Sequence, residues 1–224
     1  MLNKLNDILL SDDVVLEFNK SYSDINFYDW INIVLPEIED CRKLKQDNPW
    51  HIYNCLEHIL NSVQNMNRLT ADLDLKSRKM LAYTMFLHDI GKPQCHIRRY
   101  SKLYNRYVDS FFDHNHASVK IADRVLPSFG FSSTDIVQIK ALIEDHDIFM
   151  SLTLKEDGNK FHRVLSEEVI IEEVSKLNKV GNGKQLLEFL IKVGKADNLA
   201  QNPQMTKSSL KLLDVMEDML IMEK

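Results

Sequence analysis

Glycine and proline are scarce in this chain, with six Gly and five Pro among 224 residues. Because these two residues end or kink helices, their scarcity leaves long stretches free for helix formation. The three cysteines lie at no paired spacing and are odd in number, which argues against a disulfide framework and against a cysteine-based metal site. The start lacks the apolar stretch of a signal peptide, and no run approaches the roughly 20 apolar residues of a membrane span. We therefore expect a cytoplasmic protein with reduced thiols and no membrane partner.

Basic residues are slightly fewer than acidic ones, with 28 Lys and Arg against 33 Asp and Glu, which gives a net charge of −5. This balance argues against a protein that coats nucleic acids non-specifically. A local exception runs from residue 92 to 106, which contains basic residues interleaved with tyrosines and no acidic residue. Guanidinium groups suit phosphate oxygens, and tyrosine rings can stack on a base. We predict that Lys92, Arg98, Arg99 and Arg106 contact a phosphorylated or nucleotide-like substrate.

Apolar residues recur at helical spacing along most of the chain, which predicts an all-α fold. Short helices are expected before residue 46, and residues 94–113 are predicted to be irregular. Asn48 is predicted to cap the first core helix, with Pro49 in its first position, where the missing N–H costs nothing. The later helices are predicted at 75–87, 115–127, 133–145, 166–178, 184–200 and near 210–220.

Four residues on three predicted core helices offer metal-ligand atoms: His58, His88, Asp89 and Asp197. Neighbouring residues on a regular helix point about 100° apart, so His88 and Asp89 could not share a target in mid-helix. At a helix end closed by Gly91 the backbone can bend, and both side chains can reach one ion. The same dipeptide recurs at His146-Asp147, so a His-Asp pair alone carries little weight.

The full set of four residues resembles the HD-domain superfamily of metal-dependent phosphohydrolases: His58, then His88-Asp89 in "FLHDIGK", then Asp197 in "KAD". The segment leading into His58 is similar to the one that precedes the HD domain in bacterial CCA-adding enzymes and poly(A) polymerase relatives. This resemblance covers about residues 34–202, and the Gly-Ser and Asp-x-Asp pattern of a nucleotidyltransferase head does not accompany it. The resemblance therefore implies a hydrolase rather than an enzyme that adds nucleotides.

The resemblance also implies an organisation and a ligand set. It implies an HD-domain helical bundle at 47–202, preceded by a helical extension at 1–46. Beyond the resemblance, Leu210, Leu213, Met216 and Leu220 share one helical face, which predicts a C-terminal amphipathic helix at 203–224 that packs on the core or on a partner in a homodimer. One or two divalent ions per chain (Mn, Fe, Co, Ni, Zn or Mg) are implied. The implied metal ligands are His58, His88, Asp89 and Asp197, with His114 and His146 either holding a second ion or contacting the substrate phosphate.

The implied reaction is hydrolysis of a phosphate ester by a metal-bound hydroxide. Asp89 would bridge the metals, and Lys92 would neutralise charge on the phosphoryl oxygens. His51 lies seven residues before His58, which is nearly the same direction on a helix, so we expect it to rim the same cleft. His116 is a further substrate-contact candidate beside His114. The substrate is expected to be a nucleotide-like phosphomonoester or a phosphodiester such as a 2′,3′-cyclic phosphate, with RNA 3′ ends as a further partner. The alternative is a metal-containing module that binds nucleotides or RNA ends without turnover.

Overall fold

The computed structural model describes residues 1–222, and 64% of these residues are helical, which confirms the predicted all-α fold. Helices predicted from residue 75 onwards begin and end within two residues of their expected positions up to residue 200. The eleven α-helices in the described part are α1 (Leu2–Leu9), α2 (Val14–Tyr22), α3 (Ile25–Val34), α4 (Glu37–Lys43), α5 (Cys55–Leu69), α6 (Leu75–Leu87), α7 (His114–Val125), α8 (Ser133–Glu144), α9 (Glu167–Leu177), α10 (Gly183–Leu199) and α11 (Lys207–Met222).

The first core helix starts later than predicted. Asn54, rather than Asn48, is the N-cap of α5: its side chain accepts from the backbone N–H of Glu57, and the Glu57 carboxylate accepts from the backbone N–H of Asn54. This capping box satisfies two N–H groups that would otherwise lack partners at the helix start. The Asn48 side chain instead accepts from the backbone N–H of Trp50, at 3.0 Å, and closes a turn before the helix.

The prediction that residues 94–113 are irregular was wrong, because an antiparallel hairpin occupies most of this segment. Its strands are β1 (Ile97–Ser101) and β2 (Arg106–Ser110), and Tyr100 pairs with Tyr107 across them with ring centroids 5.5 Å apart. Asn105 has φ +49°, which gives the tight reversal between the strands. A second, two-residue pairing joins β3 (Leu152–Thr153) and β4 (Arg163–Val164) in parallel.

Helices α5, α6 and α10 pack together at the centre of the molecule. Every residue from 80 to 87 of α6 is buried, which explains why this helix is apolar on nearly all sides. The N-terminal helices join the same core, since Phe18 packs against Phe86 and the Asn67 side chain donates to the carbonyl of Leu9. Within residues 1–222, no helix is both long and apolar enough to cross a membrane.

Candidate metal centre

The three central helices bring four of the predicted metal ligands together. His58 lies on α5, His88 and Asp89 directly follow α6, and Asp197 lies near the end of α10. His58 Nε2 is 2.9 Å from Asp197 Oδ1 and 3.1 Å from Asp89 Oδ2. His88 Nε2 is 3.3 Å from Asp89 Oδ2 and 3.5 Å from Asp197 Oδ1. The four side chains are buried, and their ligand atoms lie within 4.8 Å of one another.

A second group shares Asp89 with the first. His114, the first residue of α7, has its Nε2 3.1 Å from Asp89 Oδ1, and His146 Nε2 is 3.8 Å from the same oxygen. The two Nε2 atoms of His114 and His146 are 3.1 Å apart. Asp89 therefore presents Oδ2 to one pair of histidines and Oδ1 to the other, so this carboxylate could hold an ion on each side.

Each of the four histidines is oriented by a backbone carbonyl. The Nδ1 atoms lie at hydrogen-bond distance from carbonyl oxygens: His58 from Ala200 at 3.2 Å, His88 from Met85 at 2.6 Å, His114 from Phe111 at 2.7 Å and His146 from Ile143 at 2.7 Å. A carbonyl only accepts, so each Nδ1 carries the proton. In a neutral ring the lone pair then resides on Nε2, which faces the cluster, as in histidines that ligate metals.

The centre contains buried polar atoms that fit a cation. His58 Nε2, His88 Nε2 and both carboxylate oxygens of Asp89 make no hydrogen bond of acceptable geometry to any residue from 1 to 222. Buried polar atoms without partners are destabilising and rare, and here they converge on one small volume. Neutral imidazoles with carboxylates suit divalent ions such as Mn, Fe, Co, Ni and Zn. The residues present therefore fit a divalent metal.

Burial alone would favour the neutral forms of the two carboxylic acids, but the charges around them prevail. His88 and Lys92 hold the pKa of Asp89 well below its usual range despite burial, and His58 does the same for Asp197. In the opposite direction, Asp89 and Asp197 outweigh burial and raise the pKa of His88 to about 10. The cluster thus keeps both carboxylates ionised, the form that binds metal.

Lys92 is buried beside the cluster and has three partners. Its Nζ lies 2.5 Å from Asp89 Oδ2, donates to Gln46 Oε1 at 3.0 Å and contacts His51 Nε2 at 2.9 Å. The ammonium group is therefore held by one ion pair and by its contacts with Gln46 and His51. Gln46 was not among the predicted site residues, because only the tertiary fold brings the segment before α5 onto Lys92.

His51 is close to the site for a different reason than predicted. It precedes α5 instead of lying on it, so the argument from helical spacing was wrong. Its ring nevertheless stacks on His58 with centroids 5.2 Å apart. Burial and the charge of Lys92 lower the pKa of His51 to about 2, which keeps the ring neutral and able to accept from Lys92.

The predicted arginines are engaged elsewhere. Arg98 and Arg106 form ion pairs with Asp47, and Arg98 also contacts Asp109. Arg99 donates to Ser110 Oγ at 2.7 Å. These contacts neutralise much of the positive charge seen in the sequence, and contact of these arginines with a substrate stays a prediction.

His116, a predicted substrate contact, does not reach the metal-ligand groups. His116 is exposed, with Nδ1 3.5 Å from Glu144, and lies outside both metal-ligand groups.

Asp147, which was not a predicted site residue, has Oδ2 3.4 Å from His114 Nε2 and Oδ1 3.5 Å from His146 Nε2. It also lines a surface cleft of about 450 Å³. Other residues along this cleft are Asn115, Ile148, Met150, Phe161, His162 and Lys176.

Comparison with known proteins gives two distant relatives and no matching family profile. The chain is 26% identical over 148 residues to a bifunctional uridylyltransferase/uridylyl-removing enzyme of Rhodopseudomonas palustris, a match that covers 60% of this chain and 14% of that enzyme. It is 26% identical over 140 residues to the enzyme of the same description from Ruegeria pomeroyi, covering 57% and 14%. The chain thus matches only about a seventh of the length of these relatives. At this identity they support a relation to HD-domain proteins at most, and they lend no support to the closer likeness with CCA-adding enzymes.

Proposed function

We propose that this chain is a metal-dependent phosphohydrolase that cleaves a phosphate ester of a nucleotide or nucleotide-like substrate. The observation that carries the proposal is the pair of ligand groups joined by Asp89, one buried and one beside the surface cleft. His58, His88, Asp89 and Asp197 would hold the first ion, with His114 and His146 beside Asp89 at a second position. When bound, divalent ions supply Lewis acidity towards a phosphoryl oxygen and make water more acidic.

The remaining contributions come from the chain itself. The backbone carbonyls fix the orientation of the four imidazoles before any ligand arrives, so little reorganisation is needed on binding. Lys92 holds Asp89 Oδ2 and keeps the bridging carboxylate ionised. Two carboxylates balance the charge of one divalent ion, which leaves the positive charge of Lys92 to favour an anionic substrate.

The cleft beside Asp147 is the proposed position of the substrate. Apolar side chains of Ile148, Met150 and Phe161 along the cleft suit a base or another flat apolar group, while the phosphate would face His114 and His146. The relatives are described as removing a uridylyl group, and removing a group that is attached through its phosphate hydrolyses a phosphodiester. We therefore favour a nucleotidyl phosphodiester, including a 2′,3′-cyclic phosphate, over a phosphomonoester.

The proposal is tested by hydrolysis assays on the full chain loaded with Mn²⁺, Ni²⁺ or Zn²⁺. The assays use bis(p-nitrophenyl) phosphate as the diester, p-nitrophenyl phosphate as the monoester, and 2′,3′-cyclic nucleotides. We expect diester cleavage that Asp89→Asn reduces by at least about 100-fold, since even the loss of a ligand's outer partner can cost that much. The matched control is Asp123→Asn, an exposed carboxylate paired with Lys140, which should retain the activity.

The alternative is a module that binds nucleotides or RNA ends and contains metal without turnover. If this alternative is correct, the wild-type chain should bind metal stoichiometrically and should bind a nucleotide or an RNA 3′ end tightly. It should cleave none of these esters. Cleavage that is equal in wild type and Asp89→Asn would contradict both interpretations of the cluster, because it would come from elsewhere.

A further inference from the structure

The two His-Asp dipeptides of the chain occupy equivalent local geometries. In both, the histidine follows closely on the end of a helix, and its Nδ1 lies near the carbonyl three residues earlier: Met85 for His88 at 2.6 Å and Ile143 for His146 at 2.7 Å. In both, a carboxylate oxygen of the aspartate lies close to Nε2 of the preceding histidine, at 3.3 Å for Asp89 and 3.5 Å for Asp147. The second dipeptide therefore presents its side chains as the first one does.

The facing Nε2 atoms of His114 and His146 form a position that suits a cation. The Nδ1 atoms of both rings are committed to carbonyls, so both Nε2 atoms carry lone pairs when the rings are neutral, and these atoms are 3.1 Å apart. Two lone pairs that face each other at this distance repel, and a proton or a metal ion between them removes the repulsion. The Asp147 carboxylate lies within 3.5 Å of both nitrogens, on the side of the cleft.

We propose that Asp147 is a ligand of a second divalent ion, together with Asp89 Oδ1, His114 and His146. This inference rests on the proposed metal centre and extends it by one residue. The second position then has the same donor types as the first, two imidazoles and two carboxylates, with Asp89 common to both. Mixed imidazole and carboxylate sets of this kind suit first-row divalent ions.

The two positions differ in their access to solvent. The ligands of the first ion are less than one-tenth exposed, whereas the Asp147 side chain is 36% exposed and faces the cleft. Asp147 therefore makes the second ion the one that meets an incoming phosphate, and the one that exchanges faster with solvent.

The test measures Mn²⁺ binding to the chelator-stripped full chain, by equilibrium dialysis with elemental analysis and by electron paramagnetic resonance. Wild type should bind two Mn²⁺ per chain and show the spectrum of a coupled pair. Asp147→Ala should keep one ion, lose the coupled spectrum and bind the second ion at least about 10-fold more weakly. Asp147→His, which restores a donor, should recover part of the second affinity.

Glu144→Ala is the matched control. Glu144 is a half-exposed carboxylate along the same cleft, but the histidine that it contacts is His116, so its loss should leave both ions in place. Because the Asp147 side chain is partly exposed, its variants should fold, which circular dichroism would verify.

The outcomes separate this inference from the proposed function. Two ions bound with wild-type affinity by Asp147→Ala would overturn the role of Asp147 and leave the proposed hydrolase intact. A wild-type chain that binds a single ion and hydrolyses diesters would likewise overturn the role of Asp147 and leave the proposed hydrolase intact. A wild-type chain that binds no Mn²⁺, Ni²⁺ or Zn²⁺ would overturn both.

Discussion

Lys92 Nζ lies 2.5 Å from Asp89 Oδ2, and both side chains are buried. The carboxylate at the centre of the metal-ligand groups is thus shared between an ammonium group and four histidines. This contact explains how the centre tolerates two buried carboxylates when metal is removed, because Lys92 supplies a permanent positive charge beside one of them.

Replacing Lys92 by Met should therefore destabilise the metal-free protein more than the metal-loaded one. In chelator-treated protein we expect the free energy of unfolding to fall by about 3 kcal/mol, because breaking a buried pair leaves an uncompensated charge. With saturating Mn²⁺ the loss should be smaller, since the ion supplies positive charge at the same carboxylate. Urea unfolding under both conditions measures the difference, and Lys140→Met, in an exposed pair with Asp123, should cost less than about 1 kcal/mol. Equal losses with and without metal would contradict this account.

A glycine is required at position 91 because the start of α7 packs closely against it, and not because its φ is positive. Its φ is −83°, which any residue adopts, but a Cβ built there would lie 2.5 Å from the backbone nitrogen of Ser118 and 2.7 Å from the carbonyl oxygen of His114. The glycine thus lets the His88-Asp89 turn approach the start of α7, and its N–H donates to Ser118 Oγ.

Gly91→Ala should push α7 away from the turn and with it His114. We expect a loss of about 1–3 kcal/mol in the free energy of unfolding, as for other overpacked sites, and a larger drop in affinity for the second metal ion than for the first. Gly158→Ala is the control: Gly158 has φ +75° and open space around it, so the variant should lose about 1 kcal/mol from backbone strain and keep its metal content. Unchanged metal binding by Gly91→Ala would show that the close approach has no role in the centre.

The parts of the fold that the sequence predicts best are those determined by local signals. Helix α6 was predicted at its observed bounds, because its residues favour helix and Gly91 and Pro93 follow it. The start of α5 was misplaced because Asn48 and Asn54 are both good caps. Glu57, three residues after Asn54, completes a capping box that was present in the sequence and is the stronger signal.

The hairpin and the Lys92 contacts show where such prediction fails. Most side chains of β1 are exposed, so this strand lacks the alternation of apolar and polar residues that marks a half-buried strand. Gln46 reaches the centre only through the packing of a separate segment, and nothing in its local sequence indicates it, whereas Asp147 follows the predicted ligand His146 in the second His-Asp dipeptide. The six candidate histidine and aspartate ligands could be picked out as a set because a recognisable pattern joined residues that the fold brings together.

Glu39 on α4 gives a pH-dependent contribution to stability that is independent of the metal centre. The hydrogen bond from Arg42, with smaller ones from Lys43 and Tyr22, lowers the pKa of Glu39 to about 2 despite partial burial. A carboxyl group with a lower pKa in the folded state stabilises above its unfolded pKa, and that stability is lost as pH falls towards the folded pKa.

Glu39→Gln should therefore lower the free energy of unfolding at pH 7 by about 0.5–1 kcal/mol, a value limited by solvent screening at this partly exposed site. The difference from wild type should shrink as the pH falls from 4.5 towards 2. Urea unfolding of both proteins at pH 7, 5, 4 and 3 checks the trend, and a difference that stays constant or grows in acid would refute it.

Removal of metal should lower the stability of the wild-type chain, because the buried atoms of His58, His88 and Asp89 then lose the cation that satisfies them. Any ligand that binds only the folded state stabilises it by mass action, by about 2.7 kcal/mol when its free concentration is 100 times its Kd. We expect urea unfolding of the Mn²⁺-saturated chain to shift to lower urea after chelation and to return when Mn²⁺ is added again. Asp197→Ala, which lacks a ligand of the first ion, should show a much smaller response to the chelator. A wild-type chain whose unfolding is the same with Mn²⁺ and with chelator, under conditions where the apoprotein remains folded, would mean that the ligand groups do not bind metal.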